Sequence, residues 1–524
     1  SPPAVDHEPP QMQLFDLAGR TVLVLGLGES GEAMARWAAS RGAAVRLADT
    51  RSADGASLER LSALRGALGD APFHGGPFDA AWLDGVDLVA WSPGLSIELG
   101  DSAAFFARAR ERGVAVLGEL DLFVHALAAL ADTGYRPRVV AITGTNGKTT
   151  TTALAAHLFA ATGLSVRAAG NIGPSLLAAL SDCLEHDALP DIWVLELSSF
   201  QLALAQGFEP DAASVLNLSE DHLDWHADLT RYGEAKRRIH GVRAWAVFNR
   251  DDPATVPRPA PALARPAGAR PGRRQQADLP PARPSSSFGF DAPRRPGDLG
   301  IVQDGGHQLA DDPMPGRARE SDAPVIVRKL MPAEALRLRG RHNQANAMAA
   351  LALGLAIGLP LAPMLRAIRD FDANEHRCEA VATVGGVHFV NDSKGTNVGA
   401  TVAALEAMPT GSVLIAGGVG KGQDFDPLAR ALARRSGRAV LIGQDAQAIA
   451  AALAELSVPF ECCADFRGAV QRAAELASPD KTVLLSPACA SFDMFKSYAD
   501  RGQTFRRLVR DLALEAGQPM ELAC

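Results

Sequence analysis

The chain has 524 residues, 47% hydrophobic and 21% charged, with a formal net charge of −8. That length and composition suit about three domains of an ordinary globular protein. The acidic balance argues against a nucleic-acid partner, which would call for a basic face.

Ser1–Pro10 is polar and proline-rich, has no signal-peptide pattern and reads as disordered. Thr21–Leu25 is a short apolar run, read as a buried strand. The turn Gly26-Leu-Gly-Glu-Ser-Gly31 follows, then a helical run from Glu32 to Arg41 and a strand, Ala44–Ala48, that ends at Asp49. This is a Rossmann-like start with its acid about 20 residues past the glycines. Taken alone it suggests NAD, although the same geometry holds any ribose diphosphate.

The most informative stretch is Ala141-Ile-Thr-Gly-Thr-Asn-Gly-Lys-Thr-Thr150, followed by a helix-forming run from Ala153 to Ala161. Strand, glycine turn and helix N-terminus together make an anion cradle. Lys148 would reach the β- and γ-phosphates of ATP, and the Thr149 hydroxyl would face Mg²⁺. Two residues separate Gly144 from Gly147, where the common phosphate loop has four.

Further apolar runs predict strands at Ile192–Leu197, Ala213–Leu218 and Ala244–Phe248. Alternation with helices implies a largely parallel sheet. Glu196 ends the first of these strands, where open α/β sheets bind their ligands, and suits a Mg²⁺ ligand. Asn217-Leu-Ser-Glu-Asp-His-Leu-Asp224 gathers Glu220, Asp221, His222 and Asp224 in one turn, a candidate second metal site or substrate clamp. Lys236 by itself reads as a surface lysine. From Pro253 to Pro296 proline and arginine dominate, which predicts a disordered surface insertion over about 253–300, with an order signal at Ser287–Phe290.

Arg341-His-Asn-Gln-Ala-Asn346 opens the apolar run Ala345–Leu359, too short for a bilayer span and read as a buried helix. Asn343 and Asn346 share one helix face, from which an amide could read a purine edge or cap the helix. A third set of strands is expected at Val387–Asn391, Val413–Ala416, Ala439–Ile442 and Thr482–Leu485. Three loops in this region, Asn391–Asn397, Gly417–Gly422 and Ser486–Asp493, suggest a surface for an anionic small molecule. The six cysteines, Cys183, Cys378, Cys462, Cys463, Cys489 and Cys524, lack metal-ligand spacing and suit free thiols in a reducing cytoplasm. Cys489 has no base tied to it in sequence and reads as structural.

Together these motifs resemble the Mur ligase family, whose members build the peptide stem of peptidoglycan. Glu196-Leu-Ser-Ser-Phe-Gln-Leu202, Gly170-Asn-Ile-Gly173, Asn391-Asp-Ser-Lys394 and Ser486-Pro-Ala-Cys-Ala-Ser491 look like the D-glutamate-adding member. The likeness runs from about Leu14 to Leu514, the insertion excepted. It implies an α/β protein of three domains: a UDP-binding Rossmann-like domain over 11–136, a central ATP-binding domain with a mostly parallel sheet over 137–372, and a Rossmann-like amino-acid-binding domain over 373–524.

The implied reaction is ATP-dependent ligation of D-glutamate to UDP-N-acetylmuramoyl-L-alanine through an acyl phosphate. A cytoplasmic monomer with no membrane insertion is expected. The resemblance gives UDP to Gly28, Glu29, Ser30, Asp49, Thr50 and Arg51, with Ser92–Gly94 nearby, and the sugar-peptide part to Asn171. ATP falls to Gly144, Thr145, Asn146, Gly147, Lys148, Thr149 and Thr150, with Asn346, Arg377 and Asp392. Two Mg²⁺ ions are implied, one on Thr149 and Glu196, the other on His222 and a carbamylated Lys236. Lys148, Glu196, His222 and Lys236 form the implied catalytic set. D-Glutamate falls to Lys394, Thr396, Lys421, Ser491 and Tyr498, in a third domain expected to close over the second.

Overall fold

The computed structural model describes residues 16–515 and 520–522, apart from 51–60, 63, 70, 172, 220, 222–224, 258–282, 314–324, 339, 372–377, 421 and 478. Three sheets organise it, and their central strands are buried apolar runs, as strands covered on both faces must be.

The first sheet is parallel: β1 (Thr21–Leu25), β2 (Ala44–Asp49), β3 (Phe73–Gly75), β4 (Leu88–Trp91) and β5 (Ala115–Gly118), in the order β3-β2-β1-β4-β5. The helix after β1 spans Glu29–Ser40, three residues earlier than its apolar run suggests. The tight turn makes this possible. Gly26 has φ of +83°, and a Cβ on Gly31 would stand 1.8 Å from the Gly26 carbonyl oxygen.

The second sheet holds β6 (Arg138–Thr143), β7 (Val166–Gly170), β8 (Ile192–Glu196), β9 (Ala212–Val215), β10 (Trp245–Asn249), β11 (Ser285–Phe288), β12 (Leu299–Gln303), β13 (His307–Asp311) and β14 (Arg328–Pro332). Their order is β14-β13-β12-β11-β10-β9-β6-β8-β7, parallel except for the β12-β13-β14 meander. β6 therefore lies between β8 and β9, and the three strand ends that carry Thr143, Glu196 and Val215 open side by side.

The disordered insertion expected over about 253–300 is corrected at both ends; its middle, 258–282, lies outside the described residues. Pro253–Thr255 forms a 3₁₀ turn, and β11 and β12 are sheet strands. Composition conceals β11 because its polar groups are satisfied internally. The backbone N–H and hydroxyl of Ser287 both donate to buried Asp298, at 2.7 and 2.8 Å, while Arg250 donates to Ser287 Oγ and the Leu299 carbonyl.

The third sheet holds β15 (Glu379–Val384), β16 (Val387–Asn391), β17 (Val413–Gly417), β18 (Arg438–Ile442), β19 (Phe460–Cys462), β20 (Thr482–Leu485) and β21 (Met520–Leu522), in the order β19-β18-β17-β20-β16-β15-β21. β16, β20 and β17 are parallel neighbours, so the loops after Asn391, Leu485 and Gly417 leave the sheet at one edge.

The first two sheets share one apolar core, in which Met34, Leu120, Phe123, Leu176, Leu177, Leu180 and Trp193 pack together. The third sheet has its own cores. The helix Arg341–Ala356 is buried against the helix Lys148–Ala160, and among the described residues no helix is long and apolar enough to cross a membrane. Truncating its fully buried Leu351 to alanine should cost about 2–5 kcal/mol of stability. The change at exposed Leu514 should stay within about 0.5 kcal/mol. Urea unfolding followed by tryptophan fluorescence reads both, and equal midpoints would show the buried packing to be misjudged.

Candidate active site

The loop after β6 is set by two glycines and one asparagine. Gly144 and Gly147 have φ of +156° and +81°. A Cβ at Gly147 would meet Asn346 Oδ1 at 2.4 Å, so the Arg341 helix can approach the loop only because residue 147 lacks a side chain. Asn217 braces the turn from β9: its Oδ1 accepts from the Asn146 N–H at 2.8 Å and its Nδ2 donates to the Asn146 carbonyl at 3.0 Å. The helix then begins at Lys148 rather than near Ala153, because Thr150, Thr151 and Thr152 are buried, and packing overrides the weak helix propensity of threonine. The helix N-terminus therefore points into the cleft at the loop itself.

Lys236, on the helix Leu229–Arg237, is 2% exposed, which corrects the surface reading of this residue taken alone. Its Nζ donates to the Gly144 carbonyl at 2.8 Å and lies 4.7 Å from the centre of the Tyr232 ring. Burial, reinforced by the Lys148 ammonium, pushes its pKa well below the ordinary lysine value, against the pull of Asp221 and Glu196. Lys148 Nζ donates to the same Gly144 carbonyl at 2.8 Å and to that of Thr145 at 2.9 Å. The Tyr232 hydroxyl lies 3.0 Å from Thr145 Oγ1, and burial together with Asp221 raises its pKa, so it stays protonated.

Glu196 is buried at the end of β8 and accepts from Asn171 Nδ2 at 3.1 Å. It opens on a cleft of about 640 Å³ shared by the second and third domains. Residues 145–150, Asn171, Glu196, Lys236 and Asn346 line one side of the cleft, and Asp392, Lys394, Thr396 and Tyr498 the other. Direct bonds join the sides: Lys394 Nζ donates to Thr149 Oγ1 at 3.0 Å, and Asn397 Nδ2 to Asn146 Oδ1 at 3.1 Å. Asp392 accepts from Ser486 Oγ at 2.6 Å, which ties the loops after β16 and β20. Buried Ser491 is absent from the described lining, and its neighbour Phe492, 74% exposed, takes that position. Burial pushes the Cys489 thiol up to about 12, in keeping with a structural role. His222, Arg377 and Lys421 lie outside the described residues.

A second cavity, of about 390 Å³, lies in the first domain and is lined by Gly28, Glu29, Ser30, Asp49, Thr50 and Ser92–Gly94. Arg51 lies outside the described residues. Asp49 Oδ2 accepts from the Leu27 N–H at 2.8 Å, so this acid holds the glycine turn as well as facing the cavity. Phe78 and Trp82 also line it, with His74 stacked on Trp82. These rings offer flat faces to a base, and no local motif marks them. Asn249, Phe288 and Phe290 in the large cleft were likewise not singled out as site residues, since their place depends on strands that pair far along the chain.

The sequence matches three family profiles: the MurD-like N-terminal domain of Mur ligases over 20–118, the Mur ligase middle domain over 142–261, and the Mur ligase glutamate ligase domain over 376–489. It is 51% identical to a UDP-N-acetylmuramoylalanine--D-glutamate ligase of Burkholderia pseudomallei, over 95% of this chain and 98% of that protein. For the enzyme of the same name from Burkholderia thailandensis the identity is 50% over the same shares. Among solved structures, the UDP-N-acetylmuramate-alanine ligase MurC of Thermotoga maritima superposes with a TM-score of 0.52 at 19% identity, over 94% of this chain and 99% of that one. MurF of Acinetobacter baumannii gives 0.52 at 18%, over 81% and 90%. These two likenesses concern the fold. With three profiles matched in order and half of all residues shared with full-length relatives, the chain belongs to the Mur ligase family.

Proposed function

We propose that this chain joins D-glutamate to UDP-N-acetylmuramoyl-L-alanine, using ATP, as a cytoplasmic monomer in peptidoglycan precursor synthesis. The observation that carries the reading is the large cleft, which sets a phosphate loop, a buried lysine and the strand-end loops of a third domain around one space.

The nucleotide's phosphates would rest on the N–H groups of residues 144–150, with Lys148 turning from the loop carbonyls to the β- and γ-oxygens. Asn346, beside Gly147, would face the nucleoside. UDP would fill the first-domain cavity, and the sugar-peptide would run past Asn171 towards Glu196. The alanyl carboxylate then attacks the γ-phosphorus, the bond to the bridging oxygen breaks, and ADP leaves. Lys394 and Thr396 would hold the carboxylates of D-glutamate, whose amine attacks the acyl carbon and expels phosphate, losing a proton as the amide forms. The enzyme's contribution is chiefly alignment and exclusion of water.

Thr149 Oγ1 and the Glu196 carboxylate face one cleft beside the phosphate loop, an oxygen set that suits Mg²⁺. Bound there, the cation would screen charge on the transferring phosphoryl group. Lys236 fits carbamylation, because a buried amine held below its ordinary pKa supplies the neutral nitrogen that adds to carbon dioxide. His222 completes the proposed set.

Phosphate release with the UDP-linked precursor should depend on D-glutamate and not on other amino acids. Stimulation by a different amino acid would reassign the chain to a sibling activity. Lys148→Ala should lower turnover by about 10²-fold or more with the fold intact, and ADP release near the normal rate would remove the loop lysine from the mechanism. Lys236→Ala should be inactive and regain activity with added short-chain carboxylates; full activity without them would exclude the carbamate.

A further inference from the structure

Glu119 opens the helix Glu119–Ala131 directly after β5, and it is 2% exposed although it carries a carboxyl group. It lies between the two cavities. Its Oε2 accepts from Ser30 Oγ, in the glycine turn that lines the first-domain cavity. Its Oε1 accepts from the Leu177 N–H at 2.9 Å, in the first turn of the helix Leu176–Glu185. The buried Ser175 hydroxyl lies beside it. Burial raises the carboxyl's pKa, and the bonds from Ser30 and Leu177 oppose the rise.

The segment that Glu119 grips ends at the large cleft. Asn171, six residues before Leu177, donates its N–H to the Glu196 carbonyl at 2.8 Å and its Nδ2 to Glu196 Oε1. Gly173 between them faces the first domain so closely that a Cβ there would stand 2.9 Å from Glu29 Oε1. Leu177 is thus tied through Glu119 to the first-domain cavity, and Asn171 to the cleft.

We propose that Glu119 is a positioning residue that sets the register between the first-domain cavity and the Asn171–Glu196 edge of the large cleft, so that one long substrate reaches both. The inference rests on the reading above, in which UDP fills the first cavity and the reacting carboxylate lies at Glu196. Glu119 itself is in the described lining of neither cavity. Its loss should leave each cavity able to bind its own ligand while the molecule that spans them is misaligned. An error of about 1 Å at a reacting centre can cost about 10²-fold in rate.

The test uses the full chain with Glu119→Asp, which withdraws the carboxylate by one carbon, and Glu119→Gln, which keeps a group of the same length able to meet both partners. Kd values for UDP and for ATP are measured separately, and kcat/KM for the UDP-linked substrate alongside. Glu119→Asp should lower kcat/KM by about 10²-fold while both Kd values stay within about twofold, and Glu119→Gln should restore most of the loss. Unchanged kcat/KM in Glu119→Asp overturns the proposal. So does a parallel loss of UDP or ATP binding, which would mark a merely structural role. If the wild-type chain ligates no amino acid to the UDP-linked substrate, the function reading fails and this proposal with it; wild-type ligation with an unimpaired Glu119→Asp sinks the Glu119 proposal alone.

Discussion

The apolar core common to the first two sheets is the constraint on which the rest of the molecule depends. Phe123 from the first domain meets Trp193 of β8 edge to face, with ring centres 5.2 Å apart. Such an aromatic pair adds about 0.5–1.5 kcal/mol beyond the area it buries. Because β8 also carries Glu196, the packing that joins the domains fixes one wall of the cleft. The third sheet is different. Its apolar residues form separate cores, and it meets the second domain across the cleft through polar bonds such as Lys394–Thr149 and Asn397–Asn146. Bonds of this kind exchange readily with water and contribute about 1 kcal/mol each. The first two domains are therefore joined through an apolar core, and the third meets the second across the cleft through polar bonds.

What the sequence discloses follows from how local the cause is. The glycine loop after β6 and the helix that follows it were readable because its glycines, lysine and threonines are consecutive and their conformations follow from residue type. The three loops of the last domain were readable one by one, and their convergence follows from parallel pairing of β16, β20 and β17. Lys236 was not readable from its neighbours, since a helix with mixed composition gives no sign that one lysine lies beneath the loop of a strand 93 residues away. β11 escaped for a related reason. Its serines look like linker until Asp298 and Arg250 are folded against them. Phe78 and Trp82 belong to no motif, and only the closing of the first sheet brings them to the glycine turn.

Polar side chains do much of the shaping near the cleft. Asn217 and Tyr232 come from two separate elements, and each meets the loop through hydrogen bonds, Asn217 to the Asn146 backbone and Tyr232 to Thr145 Oγ1. Low local polarity strengthens such a set and makes any broken member costly. The arrangement fixes the shape of the loop through the protein's own bonds, the condition under which alignment lowers a barrier.

One carbonyl oxygen, that of Gly144, accepts from both Lys148 and Lys236. The loop thus gathers two ammonium groups on one of its own backbone oxygens. On the proposed reading, a phosphate bound to these ammonium groups must exchange places with a backbone oxygen that holds them. The enthalpy of binding is then a difference between two sets of bonds, and counting the contacts in a filled site would overstate the affinity.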